Sequence, residues 1–170
     1  MKNILRSMKL WQKFAVLGVI ASVMTAVPLY ELMQYKNSNI AVAKAENQGL
    51  DTVEVLIPLQ RGLQAHRGLS AMALAGNAAA DGDRQARQAE VNAQFSALAK
   101  IIADNAYGKP GDELKAMKAE WDRLSQQVDG RSISAADSLS AHTALVARSI
   151  TLIETVADVS GLSLDPVAET

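Results

Sequence analysis

Cysteine is missing from this chain of 170 residues. A disulfide scaffold, a thiolate nucleophile and any cysteine-ligated metal are therefore excluded, although the compartment is left open. Aromatic residues make up only 4% of the chain, with four prolines and ten glycines. That is sparse punctuation for an all-β protein. Charge of one sign is lacking as well: 17 Lys and Arg face 18 Asp and Glu, a formal net charge of −1. Domains that bind nucleic acid are usually strongly basic, so this balance argues against such a partner. No phosphate loop, no Gly-x-Ser-x-Gly elbow and no His-Glu-x-x-His pair occurs. The two histidines, His66 and His142, stand far apart in the chain with no convincing set of further ligands nearby. These residues therefore predict no enzyme, no cofactor and no metal.

What the chain has is apolar residues, 49% of the total. Alanine, leucine and valine supply most of them, and they favour helix packing. The longest uncharged stretch is "FAVLGVIASVMTAVPLY", Phe14 to Tyr30, which Leu32 and Met33 extend. It approaches the ~20 residues that cross a bilayer as a helix. Trp11 and Tyr30 stand near its ends, where amphipathic rings prefer the interface. Lys2, Arg6, Lys9 and Lys13 precede it without an acidic residue, whereas Glu31 follows it. This asymmetry predicts a cytoplasmic basic N-terminus over 1–13, a transmembrane helix over 14–33 and an exported region over 34–170, which suits a bacterial inner membrane. The competing reading is a cleaved signal peptide. The run is long for that role, and Val27-Pro28 followed by Leu29-Tyr30 makes a poor cleavage region, so an uncleaved anchor is favoured.

Beyond the anchor the sequence predicts helices, the first continuing from the membrane segment. Pro58 should kink that helix rather than end it; a break at Asn47–Gly49 is the alternative. "AAADGD" reads as a turn with Asp81 or Asp83 as the next cap. Val91, Phe95, Leu98 and Ile102 then form a helical stripe. "YGKPG" stops it, and Asp112 should cap a third helix with the stripe Leu114, Met117, Trp121, Leu124 and Val128, closed by Gly130. Ser134 and Asp137 form a capping-box-like start for a fourth helix. Its stripe is Leu139, Val146, Ile153 and Val156, and it ends near Gly161. The fold class is therefore all-α: an N-terminal transmembrane helix continuing into an antiparallel four-helix bundle. Successive helices should leave and return to the membrane in turn. Asp165 and Pro166 in "LSLDPVAET" announce a fifth helix that is cut off after Thr170, as expected of a piece of a longer protein.

Within the bundle, "QAHRGLSAMALAGN" (64–77) is unusual for a surface helix. His66 continues the spacing of Leu56, Leu59 and Leu63, so it should face inward. His142, between Leu139 and Val146, should do the same. A lone histidine on an apolar face is more often a hydrogen-bonded core residue than a ligand group. Two of them beside Arg61, Arg67 and Arg148 form a set that would attract a small anion, because guanidinium binds planar oxyanions in a bidentate way. Solvated or intersubunit charge is the alternative for each arginine. Gly62 and Gly68 read either as points of close approach at a dimer contact or as loosened helix. Trp121 reads as packing.

The quoted segments "MKLWQKFAVLGVIA", "QAHRGLSAMALAGN", "LSAHTALVARSI" and "SGLSLDP" resemble the N-terminal sensory region of bacterial methyl-accepting chemotaxis proteins. Related regions front membrane histidine kinases and cyclic-dinucleotide enzymes. Within that group the first helix is similar to the nitrate/nitrite-sensing domain, with its Gln-x-Glu-Arg-Gly-x-Ser-like text. Gln64, Arg67, Gly68 and Ser70 match it, while His66 stands where the family usually has glutamate. The resemblance implies a homodimer and points to Gln64, Arg67 and Ser70; with the set of His66, His142, Arg61 and Arg148 they make up the expected ligand site. The small-molecule ligand would be an organic acid, a nitrate-like anion or an amino acid, and membrane lipid would surround the anchor. The leading expectation is the extracytoplasmic sensor of a chemotaxis transducer. A kinase or cyclic-dinucleotide output, or a ligand-free membrane-anchored scaffold, are the alternatives.

Overall fold

The structure is a computed structural model that describes residues 9–163. It contains four helices: α1 (Leu10–Leu74), α2 (Ala80–Asp104), α3 (Gly108–Asp129) and α4 (Ala135–Ser160). Among the described residues there is no strand. The chain divides into two compact units, Met1–Ala43 and Lys44–Thr170.

In the first unit the described residues from Leu10 onward are helix. Phe14, Leu17, Ile20, Val23, Met24 and Val27 are all exposed. The helix is long and apolar enough to cross a membrane, and none of its most apolar 18-residue window is buried.

The second unit is an antiparallel bundle of the rest of α1 with α2, α3 and α4. Here α1 runs through Asn47–Gly49 and Pro58 without interruption. The first three stripes read from the sequence meet in one core: Leu56, Leu59 and Leu63 from α1, Val91, Phe95, Leu98 and Ile102 from α2, and Leu114 through Val128 from α3. Trp121 is fully buried at its centre and donates its indole N–H to Asn92 Oδ1 at 2.8 Å. Gly62 is a point of close approach within the chain, since a Cβ there would lie 2.8 Å from Val91 Cγ2. Gly49 is closer still to α4, at 2.1 Å from Ser160 Oγ, whereas Gly68 faces open space.

The helix ends correct several expectations. Neither Asp81 nor Asp83 caps α2. Ala79 holds that position without a side-chain bond, Asn77 Oδ1 accepts from the Ala79 N–H, and both aspartates lie in the first turn. Asp112 does not cap α3, which begins earlier, after an extended Tyr107. Pro110 is then the third helical residue, in a first turn whose N–H groups have no helical partner to lose. Gly130 does close α3, but the left-handed residue is Arg131, at φ 49°. Ser134 caps α4 as expected, accepting from the Asp137 N–H at 3.0 Å. Gly161 ends α4 in the left-handed conformation, at φ 82°.

The α4 stripe departs in part from the one expected. Val146, Val156 and His142 are buried as expected and Ile153 is partly buried against the core, but Leu139 is 48% exposed, and Ser138, Leu145, Ser149, Leu152 and Ser160 are buried as well. The buried hydroxyls need no partner across the bundle. Ser149 donates to the Val146 carbonyl and Ser160 to that of Val156, each at 2.7 Å. The helix announced by Asp165 and Pro166 lies outside the described residues.

Candidate functional site

α1 and α4 bring His66 and His142 together, although 76 residues separate them. Both are fully buried, and His66 stands edge-on to Trp121 with ring centroids 4.7 Å apart. The proton positions follow from their partners. The Ser138 carbonyl can only accept, so His142 Nδ1 donates to it at 2.7 Å. His142 Nε2 is then a lone pair in the neutral ring, and His66 Nδ1 donates to it across 2.8 Å. Ser70 Oγ, 3.2 Å from that same nitrogen, shares the proton. His66 Nε2 is left as a buried acceptor without a partner among the described residues.

Both rings are held neutral. Burial, then the adjacent His142 and the charge of Arg84, lowers His66 from 6.5 to about 3. His142 is lowered too, chiefly by burial, against the opposing pull of its bond to Ser138. Desolvation penalises an imidazolium here more than any neighbour stabilises it.

Arg67 lies next to this pair at the surface of the same seam. It is half-buried, and its Nη1 donates to Thr143 Oγ1 of α4 at 3.3 Å. Among the described residues no carboxylate forms an ion pair with it. Gln64, one turn earlier on α1, is exposed beside it. Arg61 is exposed a further turn back. Arg148 is committed elsewhere: its Nε meets Glu113 at 2.7 Å and its Nη1 meets Glu120 at 2.6 Å, both on α3. Those two glutamates hold its pKa above the ordinary value. The structure thus groups Arg67, His66, His142, Ser70 and Gln64 along α1 and α4, and sets Arg148 against α3.

Two features escaped the sequence. Thr143 faces Arg67, yet a lone threonine on a polar helix face gives no signal. Arg84 is 2% exposed, a charge buried beneath the α2–α3 contact. Its Nη1 donates to Asp129 Oδ1 at 2.7 Å and to Gln88 Oε1 at 3.0 Å, and its Nε meets Asp81 Oδ1 at 3.2 Å. That bond to Arg84, with a second from Arg131, holds the Asp81 carboxyl below its usual value. A signal for Arg84 did exist. Extending the stripe Val91, Phe95, Leu98 and Ile102 backwards by helical steps reaches Gln88 and then Arg84. Among the described residues no three His, Asp or Glu side chains converge to hold a metal ion.

Residues 59–164, more than half of the chain, match the family model for nitrate and nitrite sensing. No curated protein and no solved structure matches the chain.

Proposed function

The chain belongs to the nitrate and nitrite sensing family, and from that membership we propose that its bundle is the extracytoplasmic sensor of a membrane-anchored chemotaxis transducer. The sensor binds a small planar oxyanion at Arg67. One observation carries this reading: Arg67 is a half-buried guanidinium at the α1–α4 seam, bonded to a hydroxyl rather than to a carboxylate. Its remaining N–H groups suit nitrate, nitrite or a carboxylate, which accept in the same planar geometry. Gln64 adds an amide on the same face. Behind Arg67 the neutral His66–His142 bridge, with Ser70, fixes the spacing of the two helices, so the imidazoles position the site without adding charge. Arg61 contributes positive field from farther away, whereas the charge of Arg148 is offset by Glu113 and Glu120.

Binding at a seam between two helices biases their packing, and it does so only by the difference in ligand affinity between the packing states. Because α1 also carries the apolar segment of the first unit, a displacement of α1 is the natural output. The chemotactic role and the homodimer are supported by the resemblance of the anchor and the α4 text to chemoreceptor sensory regions.

The test is calorimetry on the full chain in lipid nanodiscs, titrated with nitrate, nitrite and a panel of organic acids. We expect saturable binding of at least one of these anions, weakened about tenfold or more by Arg67→Ala, the loss of a charge-assisted hydrogen bond or two. Unchanged affinity in that variant would move the site away from Arg67. No binding by any anion would favour a ligand-free scaffold.

A further inference from the structure

We propose that the bundle carries a second recognition site, between α2 and α3, which takes a small zwitterion of the free α-amino acid type. A cavity of about 320 Å³ opens there, lined by Asp81, Arg84, Gln88, Asn92, Asp129 and Arg131 among others. That volume lies at the small end of the range for ligand pockets.

The cavity is built around Arg84. Nε and Nη1 of this buried guanidinium are occupied by Asp81, Gln88 and Asp129. Nη2 makes no hydrogen bond among the described residues, yet it is not one of the buried polar atoms cut off from solvent. Arg84 lines the cavity, and Nη2 is the guanidinium nitrogen left for a ligand. Asn92 Oδ1 accepts from Trp121, and among the described residues its amide N–H groups make no hydrogen bond. Arg131 reaches Asp81 through Nη2 at 2.9 Å and is otherwise exposed. These donors suit a carboxylate.

The same cavity holds acceptors. Asp129 Oδ2 takes one hydrogen bond from Gln88 Nε2 at 3.0 Å, and an ionised carboxylate oxygen can take more. Two guanidiniums face two carboxylates, so the formal charges of the lining cancel. A simple anion meets repulsion as well as attraction there, and so does a simple cation. A molecule with one charge of each sign, placed a few ångströms apart, meets a partner for both. A purely structural ion pair between α2 and α3 leaves no need for an open polar cavity beside it. Neither Arg67 nor α4 lines the cavity, so this site is tested separately from the oxyanion reading.

The test uses the full chain in nanodiscs and calorimetric titration with each common α-amino acid. Any that binds is repeated as its N-acetyl and methyl-ester forms. The expected result is saturable binding of at least one amino acid, at least about tenfold tighter than either blocked form. Arg67→Ala should leave it intact. Arg131→Gln should weaken it severalfold, and Ala89→Phe should abolish it. Ala89 lines the cavity from an exposed position on α2, so phenylalanine there fills the space without entering the core. The proposal is overturned if no amino acid binds, if a blocked form binds equally well, if Ala89→Phe leaves binding unchanged, or if Arg67→Ala removes it.

Discussion

An imidazole buried without charge ties the stability of this bundle to pH. His66 has a folded-state pKa of about 3 against 6.5 for the free group. The unfolded chain therefore binds more protons than the folded one between those values, and acid favours unfolding. The stability at stake is fully present above pH 6.5 and is lost as pH falls towards 3, by roughly 1 kcal/mol per pH unit below about 6. His142, lowered in the same direction, adds to this slope. Urea unfolding of the full chain in detergent at pH 7 and pH 5 should show the loss. The double variant His66→Leu, His142→Leu should flatten it, because these are the only two histidines in the chain and carboxylates titrate mostly below that window. An equal slope in the double variant would refute the assignment. The inward direction of both rings was legible from helical spacing. Their mutual bond was not, since it depends on how α1 and α4 are staggered. Arg84 shows a different limit: its burial is tolerable only because carboxylates from two helices reach it, and that pairing depends on tertiary packing.

At the level of elements, the stripes of α2 and α3 were readable because large apolar residues carry them. The stripe of α4 was read only in part: Val146 and Val156 are buried, but Leu139 faces outward and serine occupies buried positions. Serine can be buried there because each hydroxyl finds a partner on its own helix, a carbonyl for Ser149 and Ser160 and the His142 ring for Ser138. Cap residues were readable where the side chain itself caps, as at Ser134. They were not readable where the turn begins earlier than the nearest aspartate, as at Asp112. Two glycines of α1 separate intrinsic helix preference from packing. Alanine is favoured over glycine inside a helix by about 1 kcal/mol. Gly68→Ala meets nothing within 4 Å and should stabilise the chain by up to that amount. Gly49→Ala would set its Cβ 2.1 Å from Ser160 Oγ and 2.5 Å from Ser160 Cβ. That contact cannot be relieved by rotating one flexible group, so the variant should be destabilised by about 1–3 kcal/mol. Thermal unfolding of both variants reads the opposite signs; two shifts of the same sign would contradict the packing of α1 on α4.

For the molecule as a whole, the proposed orientation rests on the cations before Phe14 and the apolar exposure of the first unit. Absence of cysteine makes the orientation easy to probe. A single cysteine placed at Ser132, an exposed position between α3 and α4, should react with a membrane-impermeant maleimide in intact cells. One placed at Ser7, among the N-terminal cations, should react only after lysis. The reverse pattern would invert the topology and remove the extracytoplasmic reading.

The self-contained hydroxyls of α4 also bear on how such a receptor could respond. Besides Ser149 and Ser160, Thr143 and Thr155 bond to carbonyls of their own helix. Among the described residues, the polar links from α4 to α1 are those of His142 with His66 and of Thr143 with Arg67. A slide of one helix past the other therefore carries nearly every hydrogen bond along unbroken. Polar resistance along that track comes down to two latches, one dry and one wet, so a solute that grips the wet latch works chiefly against the apolar core and the close seat of Gly49 on Ser160.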